Sequence, residues 1–331
     1  MVRFVRVLAA GFAALSLSAF QAAPSDLPPH LSALADDPAG ARSFDYMALK
    51  ATGADLKTLS DAVHMRARIN ADRRRCLSEA ETILQMELAA AHEAETVEAF
   101  EADRAAADAA WARWVTFGDG VMAGQPVAEP PFSHVAERFR EAEEAEDPRV
   151  RQLLWRAARD QLLRNGWDVT SQPWPEPPTA GALSRFNSRL GQQACLIDTE
   201  NTEWLKADVA AHGWYRISVH GETASRAAWL MAQHADRDRP FQHEVLALLE
   251  PLVEAGEASL SNYAYLYDRI AVSEDRPQRY GTQGVCVAKG VWAPNALEDP
   301  EQVEALRDKA RIGSLADYTA HMHRLCANFE G

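Results

Sequence analysis

The feature that most limits the fold of this chain is a stripe of apolar residues between Leu77 and Phe117. Its members recur every three, four or seven positions, at Leu77, Leu84, Leu88, Ala91, Val97, Phe100, Ala107, Trp111 and Trp114. This period is that of one face of an α-helix. A continuous helix over the segment would be roughly 60 Å long, and it needs other helices to cover its apolar face. The acidic residues of the opposite face are predicted to meet solvent.

Helical spacing returns in most of the remaining chain. Further helices are predicted over 44–69, from Pro148, over 183–211 and 222–235, from Pro240, and over 260–270, 298–310 and 314–325. Residues 284–293 do not follow this helical spacing. They are predicted to form a small β-hairpin that turns at Lys289-Gly290. We therefore expect a mainly α fold: a multi-helix globular domain with a small β-hairpin, preceded by a long-helix N-terminal region.

The amino terminus has the pattern of a secretory signal peptide. Arg3 and Arg6 precede an apolar run, and small residues follow at Ala22 and Ala23. The run is short for a membrane span. Residues 1–23 are therefore predicted to be a cleaved leader, which places the mature protein in the periplasm or outside the cell, with no membrane insertion after the leader is removed.

Composition divides the rest of the chain into three parts. Residues 24–43 are rich in Pro, Ala, Ser and Asp and are predicted to be a flexible lead-in. Residues 44–146 form an N-terminal helical region that contains the long acidic helix. Residues 147–331 form a C-terminal helical domain.

The charge of the chain excludes two classes of partner. The net charge is −14, and it becomes −16 without the leader, which takes away two arginines and no acidic residue. A protein this acidic is not suited to binding nucleic acid or an anionic membrane surface. A small polar molecule, an envelope component or a protein partner stays open.

The four cysteines are Cys76, Cys195, Cys286 and Cys326. An even count in an exported protein favours two disulfides, although the sequence leaves three pairings open. We favour Cys76–Cys195 and Cys286–Cys326, because each would join neighbouring regions. Four reduced, buried thiols are the alternative.

Five short motifs occur in an order that resembles a bacterial family of unknown function. They are Asp-Gln-x-x-Arg from Asp160, Gly-Trp from Gly213, Gln-His-Ala-Asp from Gln233, Asp-Arg from Asp268 and Tyr-Gly-Thr-Gln from Tyr280. The resemblance extends over about 147–318 and leaves out the long acidic helix. It implies no activity, substrate or cofactor.

Polar side chains of these motifs lie among helical core positions, where they need partners. We predict a pocket in which His234 and Asp268 handle protons and Arg269 holds an anionic group. Hydrogen bonds or further walls would come from Gln233, Asp236, Gln278, Tyr280, Thr282, Gln283, Asp160, Gln161 and Arg164. Gly281 would allow a turn that other residues resist.

One other interpretation remains. The polar residues could form a stabilising network in an interaction or scaffold protein that docks through the acidic helix. Acid–base hydrolysis is the chemistry that the pocket would support. We predict no cofactor and no metal, because His321 and His323 face apart on a helix and Cys326 is needed for a disulfide.

Overall fold

The computed structural model describes residues 27–70, 72–167 and 174–329. The mainly α prediction is confirmed there. The helices of the N-terminal half are α1 (Pro29–Leu34), α2 (Pro38–Ser43), α3 (Tyr46–Ala51), α4 (Leu56–Met65), α5 (Glu79–Glu93), α6 (Val97–Met122) and α7 (Phe132–Glu144). Those of the C-terminal half are α8 (Pro148–Arg164), α9 (Ala180–His212), α10 (Ile217–Gln233), α11 (Arg239–Glu254), α12 (Leu260–Ser273), α13 (Val303–Ala310) and α14 (Leu315–Leu325).

The predicted hairpin is confirmed. Strands β1 (Gly284–Ala288) and β2 (Val291–Pro294) pair antiparallel, with Cys286 opposite Trp292. α14 packs against β2, so the hairpin is held between the end of the chain and the turn that precedes it.

The single long helix is replaced by two helices, α5 and α6, separated at 94–96. Two side chains explain the break. The Lys50 ammonium donates to the carbonyls of His92 and Ala94 at 2.8 and 2.6 Å and so caps the end of α5. The Thr96 hydroxyl accepts from the Ala99 N–H and begins α6.

The lead-in prediction is wrong for residues 29–43, which form α1 and α2. Prolines at the first helical positions start both helices. Leu31 and Ala41 are fully buried in the packing of the N-terminal region, and this burial outweighs the loop-like composition. The predicted leader, 1–23, lies outside the described residues.

α9 is the helix that contacts both halves of the molecule. It contacts α5 and α6 of the N-terminal region and α8 and α10 of the C-terminal half. One apolar core surrounds Leu205, Tyr215 and Leu266, and a second surrounds Trp114, Phe186 and Leu190. Polar side chains of α9 are therefore brought against helices from both halves.

The favoured cysteine pairing is confirmed. Cys76 bonds to Cys195 and Cys286 to Cys326, which leaves no free thiol among the four. In the described parts of the chain, no helix has the length and apolar character to cross a bilayer.

Candidate functional site

A cluster of four ionisable side chains lies where α8, α9 and α10 meet. Asp160 and Arg164 are one turn apart on α8. Asp198 comes from α9, and His234 is the residue that ends α10. Two of the three helices contribute residues that the sequence analysis named, and Asp198 is an addition.

Hydrogen bonds join all four side chains. Arg164 donates from Nε to Asp160 Oδ1 at 2.9 Å and from Nη2 to Asp198 Oδ1 at 2.7 Å. The His234 Nδ1 lies 3.1 Å from Asp160 Oδ2. Gln161 adds a bond from Nε2 to Asp160 Oδ2 at 2.8 Å. Asp160 is thus bonded by three neighbours and is almost fully buried.

The contacts of Nδ1 bear on the tautomer of His234. Arg164 Nε donates both to His234 Nδ1 at 3.1 Å and to Asp160 Oδ1 at 2.9 Å, so Nδ1 faces one donor and one carboxylate. A carboxylate with two donors nearby favours a proton on Nδ1. In the tautomer with its proton on Nδ1, Nε2 is the acceptor nitrogen, and it has no hydrogen-bond partner among the described residues. This is how a carboxylate orients an imidazole as a general base.

The two carboxyl groups of the cluster differ in pKa. Burial opposes the ionisation of Asp160, but the hydrogen bond and charge of His234, with Arg164, outweigh it and hold the pKa of Asp160 below its usual value. Burial raises the pKa of Asp198 to about 6 against the attraction of Arg164, and the charge of Asp160 adds to the rise. One group is a fixed anion and the other exchanges its proton near neutral pH.

His234 and Asp198 line a hollow of about 170 Å³. Its other wall consists of Ile69, Arg73 and Arg74 of the N-terminal region. The Arg74 N–H donates to the carbonyl of Arg237 at 3.2 Å, which joins the two walls. The hollow is smaller than the roughly 300–1,000 Å³ of drug-sized sites, so it suits a small ligand or one polar end of a larger one.

Three arginines surround this hollow: Arg73, Arg74 and Arg237. Arg237 is 4.0 Å from Asp198, and Arg73 is 3.8 Å from Asp238. These distances are too long for good hydrogen bonds. The side chain of Arg74 has no hydrogen-bond or ion-pair partner among the described residues, and the residue is exposed. Weakly paired guanidiniums favour an anionic ligand group here, although the whole chain is acidic.

The ion pairs of Glu81 and a disulfide fix the segment that carries Arg73 and Arg74. Glu81 is buried and accepts from Arg66 Nε at 2.8 Å and from Arg75 Nη1 at 2.6 Å. Burial alone would raise the pKa of Glu81, but these arginines lower it to about 2. The Cys76–Cys195 disulfide then ties this segment to α9, one turn of helix before Asp198.

The cluster has some features of a metal site. Asp160, Asp198 and His234 each offer a ligand atom, and these atoms lie within 4.8 Å of one another. The Arg164 guanidinium, however, is bonded to both carboxylates. Its charge compensates theirs and repels a cation. The donor set therefore fits proton transfer better than metal binding.

The structure places Asp268 in a different environment. Asp268 is 0% exposed and accepts from the backbone N–H groups of Arg279, Tyr280 and Thr282 and from the Thr282 hydroxyl, at 2.8 to 3.2 Å. No hydrogen bond or ion pair within the described residues joins it to His234. The predicted His234–Asp268 pair is therefore corrected: Asp160 and Asp198 are the carboxylates that accompany His234.

The remaining residues of the predicted pocket hold the same turn. Gln278 donates to the carbonyls of Gln283 and Asn295 at 2.7 and 3.0 Å, and it accepts from the Gln283 N–H. Tyr280 packs in a small apolar core. Gly281 has a φ of 67°, as its predicted turn requires. This segment connects α12 to the hairpin, and its polar groups are used within the protein.

Two further predicted residues pair with each other. Arg269 donates to Asp236 from Nε at 2.7 Å and also from Nη2. The pair is half-exposed and is not in the wall of the hollow. Gln233 is buried, and its Oε1 has no hydrogen-bond partner among the described residues.

The histidines of α14 are used elsewhere. His323 Nδ1 accepts from the Trp292 N–H at 2.8 Å, and His321 Nδ1 contacts Arg324. Cys326 is in a disulfide. These three residues have structural partners in the hairpin region.

Sequence reasoning missed Asp198, Arg237, Arg73 and Arg74. Asp198 lies between the first two motifs of the sequence analysis, within the range of the resemblance but outside every motif. A helical face that carries Asp198, Thr202 and Leu205 would have marked it as a buried polar position. Arg74 carried no signal beyond a basic run.

The chain belongs to a family of unknown function (DUF6624), which matches residues 149–325. The matched range contains the four members of the cluster and the turn held by Asp268. A comparison with the curated proteins and one with the solved structures find no match. The match gives the extent of the family's domain and names no reaction.

Proposed function

We propose that the C-terminal domain binds a small polar or anionic ligand at the hollow beside His234 and acts on it by acid–base chemistry. The observation that carries this proposal is the Asp160–His234 pair, in which one imidazole nitrogen is bonded to a buried carboxylate while the ring lines an open hollow. Arg237 and Arg74 would hold the anionic group.

The same geometry favours water as the nucleophile. Among the described residues of the wall, the hydroxyls of Thr199 and Thr202 donate to backbone carbonyls of their own helix, at 2.9 and 2.7 Å. In the proposed hydrolysis, His234 Nε2 takes a proton from water as its oxygen attacks the ligand. Asp198, which is protonated below its raised pKa, gives a proton to the leaving group.

Binding can be tested by NMR with ¹⁵N-labelled histidine. Inorganic phosphate and acetate are titrated as probes while the imidazole resonances are followed. We expect a saturable shift of the His234 Nε2 resonance. Arg237→Gln should weaken it on the order of tenfold, because a hydrogen bond to a charged group contributes about 1.5–3 kcal/mol.

Arg239→Gln is the matched control, since Arg239 is two positions away and outside the wall of the hollow. It should leave the titration unchanged. A His234 resonance that does not shift with either anion would argue against this site. Equal shifts in both variants would argue against it as well.

Export is part of the proposal. The two disulfides are typical of proteins that fold in an oxidising compartment. Mass spectrometry of the protein recovered from the periplasm or medium should show a chain without residues 1–23. An intact chain confined to the cytoplasm would contradict export.

The rival interpretation, docking through the acidic N-terminal helix, has less support. α5, which carries half of that segment, is largely buried. Its acids Glu81 and Glu87 are paired with arginines inside the protein. These charges are unavailable to a partner.

A further inference from the structure

A second cavity, of about 740 Å³, lies between α5, α6 and α9. It is separate in its residues from the hollow beside His234. Two of its three walls belong to the N-terminal region, outside the range that matches the family. Its volume falls within the roughly 300–1,000 Å³ of sites for drug-sized molecules.

The walls are helix faces. Residues three, four or seven apart on one helix share a face, and each helix contributes such a set. The sets are Ile83, Met86 and Glu87 on α5, Arg104, Asp108 and Trp111 on α6, and Arg189, Gln193 and Leu196 on α9. Apolar side chains from all three helices thus enclose one space.

The charges of this cavity are paired with one another. Arg42 is bonded to Glu79, Arg189 to Asp108, and Arg104 to Glu101 and Glu87. Each lining cation among the described residues therefore has an acidic partner. In contrast to the hollow beside His234, the cavity offers no free guanidinium to an anion.

One polar atom is left over. Glu87 is 3% exposed, and its Oε2 accepts from Arg104 Nη2 at 3.3 Å and from Arg185 Nη2 at 3.1 Å. Its Oε1 has no hydrogen-bond partner among the described residues. Glu87 lines the cavity, so a molecule inside the cavity can supply a donor to this oxygen. The two guanidiniums bonded to Glu87 would repel an incoming ammonium, so a neutral donor suits this position.

We propose that this cavity binds a neutral small molecule that has an apolar body and a hydroxyl or amide-like N–H group. The apolar body packs against Ile83, Met86, Trp111 and Leu196, and the polar group donates to Glu87 Oε1. This ligand differs in charge from the one at the hollow, and neither proposal depends on the other.

The test uses N-phenyl-1-naphthylamine, a neutral aromatic amine with one N–H group whose fluorescence rises in apolar surroundings. The full exported chain should bind it saturably at one site. 1-Dodecanol should displace it at least tenfold more effectively than dodecanoate or dodecylammonium. Absence of saturable binding would overturn the proposal, and equal displacement by the charged compounds would overturn the choice of a neutral ligand.

Two variants locate the probe. Gln193→Trp fills the cavity from a side chain that makes no hydrogen bond among the described residues, and Leu196→Glu places a charge at a position that is 40% exposed. Each should lower the affinity at least tenfold while circular dichroism and melting show a folded protein. Two folded variants that bind as the original chain does would overturn the assignment.

Val219→Glu, at a position 58% exposed on α10, is the matched control and should bind the probe normally. His234→Gln should also bind it normally. Loss of probe binding in His234→Gln would contradict a separate site, whereas failure of the anion titration alone would affect only the hollow.

Discussion

The cluster around His234 and the turn around Asp268 use similar residues in opposite ways. Asp268 receives four donors from one loop and is completely buried. Asp198 has one short bond, to Arg164, and lines a hollow. The side chain of His234 is 13% exposed, and one of its nitrogens has no partner in the described parts of the chain.

The difference shows that donor count separates a structural carboxylate from a candidate functional one. A carboxylate that is filled by backbone N–H groups stabilises a turn and has no capacity left for a ligand. A carboxylate that shares one guanidinium with a neighbour has a perturbed pKa and a free side. Each region also has its own disulfide, Cys76–Cys195 beside the cluster and Cys286–Cys326 after the turn.

The two disulfides give the largest expected effects. Replacing Cys76 and Cys195 by serine should lower the free energy of unfolding by about 5 kcal/mol, and replacing Cys286 and Cys326 by about 4 kcal/mol, on the chain-entropy estimate for loops of 119 and 40 residues. Urea denaturation measures both.

Only the first pair should also weaken the anion titration at His234, because it ties the segment that follows Arg73 and Arg74 to α9. Alkylation before reduction should find no free thiol in the original chain. An unchanged titration in the Cys76/Cys195 variant would show that this disulfide does not support the hollow.

Replacing Asp268 and His234 in separate variants tests the comparison itself. Asp268→Asn should cost about 3–5 kcal/mol, because backbone N–H groups lose a buried charged acceptor. His234→Gln should cost about 1 kcal/mol, the size of one hydrogen bond. Denaturant midpoints at constant pH give both values. Two equally large losses would mean that the His234 cluster is a stabilising network.

The raised pKa of Asp198 predicts a dependence of stability on pH. The folded protein holds this proton up to about pH 6, because burial raises the pKa of Asp198, whereas the unfolded chain releases it near the ordinary pKa of 3.8. Asp198 therefore contributes a loss of stability as the pH rises between these values, on the order of 3 kcal/mol.

Asp198→Asn removes that loss, so its stability relative to the original chain should increase between pH 4 and pH 7. Unfolding curves of both proteins across this range measure the difference. A difference that stays flat, or that falls with pH, would contradict the raised pKa.

The last prediction concerns the backbone of the turn at Gly281. Gly281 has a φ of 67°, and an added Cβ would meet Leu315 Cδ1 at 3.0 Å. Gly281→Ala should cost about 2 kcal/mol, from the backbone conformation and the close contact together. Gly256→Ala has a similar φ of 72° and open space, and should cost about 1 kcal/mol. Thermal unfolding of the pair separates the two contributions, and equal losses would show that the contact with Leu315 is relieved.

Sequence patterns were reliable where the signal was local. The helical spacing, the hairpin at Lys289-Gly290 and the turn at Gly281 depend on neighbours within a few residues, and the structure has all three. The break at 94–96 was not visible, because the lysine that caps α5 lies more than forty positions earlier at Lys50. The helices of 29–43 were missed for the same reason, since Leu31 is buried by distant helices.

The amino-acid sequence by itself determined the helices, the hairpin and which residue types had to find partners, because these follow from side-chain periodicity and from the cost of burying polar groups. Only the tertiary structure decided which carboxylate each partner met. His234 lies beside Asp160 and Asp198 because α8, α9 and α10 pack together, and Asp268 is enclosed by its own turn. Contacts between distant segments depend on how helices pack, and no local pattern records them.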